Sequence, residues 1–368
     1  MHGLRFSQQD WERIERDTTA WWAGELDRPL VWLAATDPLS SYPPYRYMSN
    51  YPLDMPADDL LDQYEPQLNA THFFGDAFPG LWINFGPGIM AGFLGSQVHS
   101  VADPSETVWF SPPNETSKAD LELAYQGDNR WWNRVTEITR AAVQRWNGQV
   151  AVGHTDIGGN LDVLASFRTT QALLFDLIEQ PDEVERLCAR ITELWIRYYN
   201  ELDALIRPTC RGTTCWTPIW SSGKTYMMQS DFAYMISPDM FERFVVPDLT
   251  TCCSRQALDH GFYHLDGRGQ IIHLDHLLSI SRLRGIQWIP GDGQPPPDQW
   301  LPLLKRIRDG GKLCQVFVSP EGARTIVQNL GGKGFLLVIG HANPEFADPQ
   351  NAQAYLDLLA QEDISNHS

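Results

Sequence analysis

Eight short apolar runs, spaced by stretches of helical periodicity, set the strongest limit on what this chain can fold into. They read LVWLAAT (30–36), LWINFGPG (81–88), QVAVGHTDIGG (149–159), GTTCWTPIW (212–220), GFYHLDG (261–267), GIQWIPGDG (285–293), KLCQVFVSP (312–320) and GFLLVIGHAN (334–343). Their apolar parts are nearly continuous rather than alternating, as in strands covered on both faces. Between them, 131–146, 169–206, 237–260, 295–311 and 319–334 carry apolar residues at helical spacing. Pro181 divides the second of these, and Ser237 with Pro238 opens the third.

Strands that alternate with helices build a parallel sheet. About eight such units predict an α/β fold, a closed (β/α)8 TIM barrel, as one domain over 1–368. No G-x-G-x-x-G turn follows the first run, which argues against an open dinucleotide-binding sheet. Residues 1–29 read as an N-terminal helical extension. The Pro- and aromatic-rich segment 37–80 reads as an insertion over the barrel mouth, and 221–236 as a second mouth-covering loop.

Charge narrows the partners. The formal net charge is −18, which disfavours nucleic acid, whose phosphates need Lys and Arg. No apolar run approaches the ~20 residues of a membrane span. The six cysteines form no C-x-x-C pair and read as reduced thiols, and the N-terminus lacks the apolar core of a signal peptide, so a cytoplasmic location is expected. A small-molecule substrate is the natural partner.

In such a barrel, chemistry belongs at the C-terminal strand ends. There the sequence places His154, Asp156 and Asn160; then Trp216 and Trp220, followed by Lys224, Tyr226, Gln229 and Asp231; then His264 and Asp266; then Asp292; and finally His341. Residues two apart on a strand share a face, so His264 and Asp266 both aim toward the axis. With His341 from the last strand they make a candidate ligand set for a divalent metal, zinc among them. Asp156, Asp231, Asp292 and His154 are candidate acids and bases, with or without a metal. Trp216, Trp220 and Trp288, with Lys224, Tyr226, Gln229 and Asn160, are candidate substrate contacts. Fourteen tryptophans suit either core and lid packing or an aromatic-walled pocket.

The segments DIGGNLDVLASFRTTQALLFDLIEQPDEV and SPDMFERFVVPDL, with YHLDG and LLVIGHAN, resemble the uroporphyrinogen decarboxylase and cobalamin-independent methionine synthase superfamily over roughly 150–345. YHLDG falls where the methyltransferase branch carries His-x-Cys-Gly, and His341 falls near its late cysteine. The resemblance implies a (β/α)8 barrel enzyme of methyltransferase, decarboxylase or lyase type. In the methyltransferase branch it implies zinc on His and Cys, and a corrinoid or other methyl carrier as partner. This chain has Asp266 and His341 where thiolates would stand, a harder donor set. It also lacks the N-terminal Arg-rich segment that binds porphyrinogen carboxylates, with Arg46 the only arginine in 30–50. Three functions stay open: metal-dependent group transfer, metal-free lysis by aspartates, and ligand binding without turnover.

Overall fold

The computed structural model describes residues 4–37, 39–100, 107–113, 121–340 and 344–365. Its strands are β1 (Leu30–Thr36), β2 (Thr71–Gly75), β3 (Gly80–Trp82), β4 (Gln97–His99), β5 (Trp109–Ser111), β6 (Ala151–Gly153), β7 (Thr213–Thr214), β8 (Trp220–Ser221), β9 (Thr225–Met228), β10 (His260–Asp266), β11 (Leu283–Ile289), β12 (Leu313–Phe317) and β13 (Phe335–Ile339). Seven form one sheet in the order β2-β1-β13-β12-β11-β10-β9. Only β2 runs antiparallel to its neighbour. Helices join successive parallel strands, as in a mixed α/β fold.

The expected closed ring of eight ladders is not formed among the described residues. The outer edge of β1 is taken by the antiparallel β2. β3 therefore pairs with β6 as a separate two-stranded unit. The run 212–220 is also not one strand. Pro218 cannot donate to a ladder, and the chain folds back so that β7 and β8 pair with each other. The next strand of the main sheet is β9, within the segment expected to be a loop. Single bonds bridge the gap: His154 N donates to Thr214 O at 3.0 Å, and Thr225 N to Thr213 Oγ1 at 3.0 Å.

One end of the sheet is plugged. Helix α1 (Gln8–Ala23) is opened by a reciprocal capping box between Ser7 and Asp10 and ends at Gly24 in the left-handed region. It buries Trp11, Ile14, Trp21 and Trp22. The Trp21 indole donates to Phe335 O at 3.1 Å, at the start of β13. Trp22 donates to Trp220 O at 2.9 Å. Each indole removes on the order of 200 Å² from water, roughly 5 kcal/mol at the usual coefficient. With the N-terminal ends covered, a site has room at the C-terminal ends.

Candidate active site

β10 opens on His260 and is then apolar until it reaches His264. Phe262, Tyr263 and Leu265 are fully buried, while His264 and Asp266 keep partial exposure. Gly267 follows with φ 75° and ψ 152°, a positive-φ conformation that favours glycine and ends the strand directly after the carboxylate. Asp231 arrives from another segment, as the first residue of the 3-10 helix Asp231–Met235. One ligand atom each of Asp231, His264 and Asp266 lies within 4.8 Å of the other two. Asp231 as a residue is exposed at the mouth, yet the protein packed around its carboxyl strips enough water to raise it above the usual carboxylate range; the adjoining His264 pulls it back in part, and Asp266 adds to the rise.

Two supports hold this trio. The Asp162 carboxylate accepts the backbone N–H of Asp231 at 3.1 Å and of Phe232 at 2.8 Å, anchoring the start of the 3-10 helix. Behind the imidazole, Gln287 bonds His264 Nδ1 through its amide oxygen. Neither residue stands out by motif. A signal for Gln287 was present, however: a glutamine inside the apolar run GIQWI, matched by another inside LCQVF.

The other expected site residues divide. Asp156 is buried beside the trio's electrostatic field. Its Oδ1 accepts Gly158 N at 2.8 Å and its Oδ2 accepts the Gln229 amide at 3.3 Å. Burial pushes its carboxyl up to about 7, offset in part by the Gly158 bond and raised further by Asp231. The Gln229 carbonyl lies against Gly159, where any Cβ would fall 2.1 Å from that oxygen, so only glycine fits. His154 is fully buried and stacks on Tyr199 at 4.4 Å. Among the described residues neither ring nitrogen has a hydrogen-bond partner, and burial lowers its pKa to about 3, which keeps it neutral.

Several expected substrate contacts have other work. Asn160 opens the helix Asn160–Arg168, donates to Phe244 O at 2.9 Å and accepts from Leu161 N. The Tyr226 hydroxyl accepts Ile157 N at 2.8 Å in the interior. Lys224 precedes β9, at its N-terminal end, and its Nζ donates to Asn200 at 2.6 Å. Trp220 packs with Trp11, Ile14 and Phe78 at the plugged end, away from the mouth. Trp288 alternates with the inward Gln287, so its indole points outward and meets Trp300 at 5.1 Å. Asp292 is an exposed turn residue outside the trio. His341 lies outside the described residues.

A cavity of about 360 Å³ lies beside the trio, walled by Trp32, Tyr45, Phe73, Trp82, Trp216 and Phe317 among others. Among the described residues, no Lys, Arg, Asp or Glu lines it. The trio does not line it either; Trp216 joins the two. Its indole walls the cavity and meets the His264 ring edge to face at 5.1 Å.

No family model matches the chain, and no curated protein matches it. Among solved structures it is similar to a methyltransferase from Methanosarcina mazei, with 12% identity and a TM-score of 0.61 over 95% of this chain and 98% of that one. A B12-independent methionine synthase from Shewanella sp. W3-18-1, in complex with selenomethionine, aligns at 9% identity and a TM-score of 0.42 over 74% of this chain and 76% of that one. The first likeness extends over nearly the whole of both chains and shows a shared fold. Among the described residues, no helix is long and apolar enough to cross a membrane.

Proposed function

We propose that this protein is an enzyme of the uroporphyrinogen decarboxylase and methionine synthase type. It moves a methyl or other one-carbon group to or from a small uncharged molecule held in the aromatic cavity. The observation that carries this reading is the convergence of Asp231, His264 and Asp266 beside that cavity. We take the fold as a (β/α)8 barrel whose ladders are interrupted at β2 and at the β7–β8 hairpin. Methyl transfer is favoured by the likeness in fold to a methyltransferase.

The donor set of two carboxylates and one imidazole suits a divalent cation such as zinc or manganese. The six cysteines are all buried and none belongs to the trio, so a thiolate-rich centre does not fit. Asp231, His264 and Asp266 would hold the cation, which would supply Lewis-acid polarisation of an oxygen or thiol group. The chain's own residues do the rest. Trp216 and the cavity walls orient an apolar body and exclude water. Asp156, with its carboxyl raised to about 7, holds a proton near neutrality. A cavity whose described lining holds no Arg or Lys is a poor host for the carboxylates of a porphyrinogen.

Asp156 also supports a second reading, metal-free decarboxylation or lysis with that carboxyl as the acid. The two separate by how methyl-transfer and lyase activities respond to a chelator. Free methylcobalamin is offered with a panel of small thiols and alcohols, and loss of its methyl–cobalt absorbance is followed. The first reading predicts turnover that stops with a chelator and returns with zinc or manganese. Lyase activity that survives chelation favours the second. A protein that binds no divalent cation and transfers no methyl group overturns the first.

A further inference from the structure

The interior face of the sheet carries a polar row where apolar packing is the rule. His264 on β10, Gln287 on β11 and Gln315 on β12 are register partners on neighbouring strands. Both glutamines are fully buried. Buried amides are costly unless every donor and acceptor is used, and here the bonds form a chain with only one consistent direction.

The chain starts at a group that can only accept. Gln315 Nε2 donates to the carbonyl of Pro218 at 3.4 Å. Turning that amide over would set its oxygen against the carbonyl oxygen, so its Oε1 faces the other way. There Oε1 accepts from Gln287 Nε2 at 2.7 Å and from the Thr217 hydroxyl at 3.1 Å. The Gln287 amide nitrogen also donates to Thr217 Oγ1 at 3.2 Å. Both of its protons are thereby used, and its oxygen is the only atom left to meet His264 Nδ1. An amide oxygen cannot donate, so the proton on that bond sits on Nδ1.

We infer that Gln287, oriented by Gln315 and Thr217 from the Pro218 carbonyl, is a positioning residue that holds neutral His264 as its Nδ1–H tautomer. In the neutral ring Nε2 then presents a lone pair, the form a cation ligand or a base requires. The use made of that lone pair rests on the function proposed above; the tautomer itself does not. Thr217 and Pro218 also wall the aromatic cavity, so the hairpin that lines the cavity sets the imidazole as well.

The test is nitrogen NMR of full-length protein labelled with 15N-histidine, recorded without metal, with His264 assigned by its loss in His264→Asn. Neutral His264 is expected to be protonated at Nδ1 and bare at Nε2. In Gln287→Leu the Nε2–H form should appear, and Co²⁺ affinity should fall roughly 10–100-fold, the range for groups that orient metal ligands. A wild-type ring protonated at Nε2 overturns the inference, and that spectrum decides even if the variant does not fold. A folded Gln287→Leu protein with unchanged tautomer and unchanged Co²⁺ affinity overturns it too. If wild type binds no Co²⁺, the proposed function fails while the tautomer result stands by itself.

Discussion

The indole of Trp216 meets the imidazole of His264 edge to face, with centroids 5.1 Å apart and planes at 88°. The same indole walls the aromatic cavity. One ring therefore touches both the cavity and the trio's imidazole.

That proximity makes Trp216 a reporter. Co²⁺ bound at Asp231, His264 and Asp266 should quench part of the emission of the fourteen tryptophans. Trp216→Phe should remove most of that quench while keeping the aromatic contact. A titration of fluorescence against Co²⁺ in both proteins checks this. Equal quenching in the two would place the cation elsewhere.

Asp162 should matter through Asp231. Asp162→Ala leaves two backbone N–H groups without their acceptor. At about 1–3 kcal/mol for a buried donor left unpaired, partly offset by water at the rim, a loss of about 2–3 kcal/mol is expected. Cation affinity should fall with it, since the 3-10 helix that carries Asp231 loses its anchor. Urea unfolding and Co²⁺ titration of the variant measure both. An unchanged midpoint would show that the anchor contributes nothing.

Stability should depend on pH through Asp248, a buried carboxyl bonded by the Thr192 hydroxyl. Burial pushes it up to about 6 from 3.8. Between about pH 4 and pH 6 the folded protein keeps a proton that the unfolded chain has released, so stability falls as pH rises through that window. A gap of about two units corresponds to roughly 3 kcal/mol at most. Asp248→Asn should match the parent at pH 4 and exceed its stability by about 2–3 kcal/mol at pH 8. Urea unfolding at the two pH values decides, and an equal offset at both would refute the assignment.

Long buried strands could be read from the sequence because their apolar runs are continuous. LVWLAAT and GFYHLDG become β1 and β10 with almost unchanged ends. Short strands could not. β6 has three residues, β7 has two, and β9 reads TYMM between polar neighbours, so local pattern is weak. His264 and Asp266 were foreseen from period-two alternation. Asp231 was expected at the mouth as an acid or base, with His341 as the third ligand; its place beside His264 and Asp266 was not legible because it approaches through a 3-10 helix that no periodicity announces. The same alternation separates Trp288 from Gln287: the conspicuous tryptophan faces outward and the quiet glutamine faces the site. Trp220 was misplaced because the hairpin at Pro218 returns it to the plugged end.

Cation binding at the trio is measured most directly by calorimetric titration of the metal-free protein with Zn²⁺ and Mn²⁺, in wild type and in Asp231→Ala, His264→Ala, Asp266→Ala and Asp292→Asn. One equivalent should bind to wild type and to Asp292→Asn alike. Each of the other three should lose at least about 100-fold in affinity, more than the 10–100-fold typical of outer-shell groups. Wild type that binds neither cation, or trio variants that bind as tightly as wild type, would contradict the assignment of Asp231, His264 and Asp266 as a metal site.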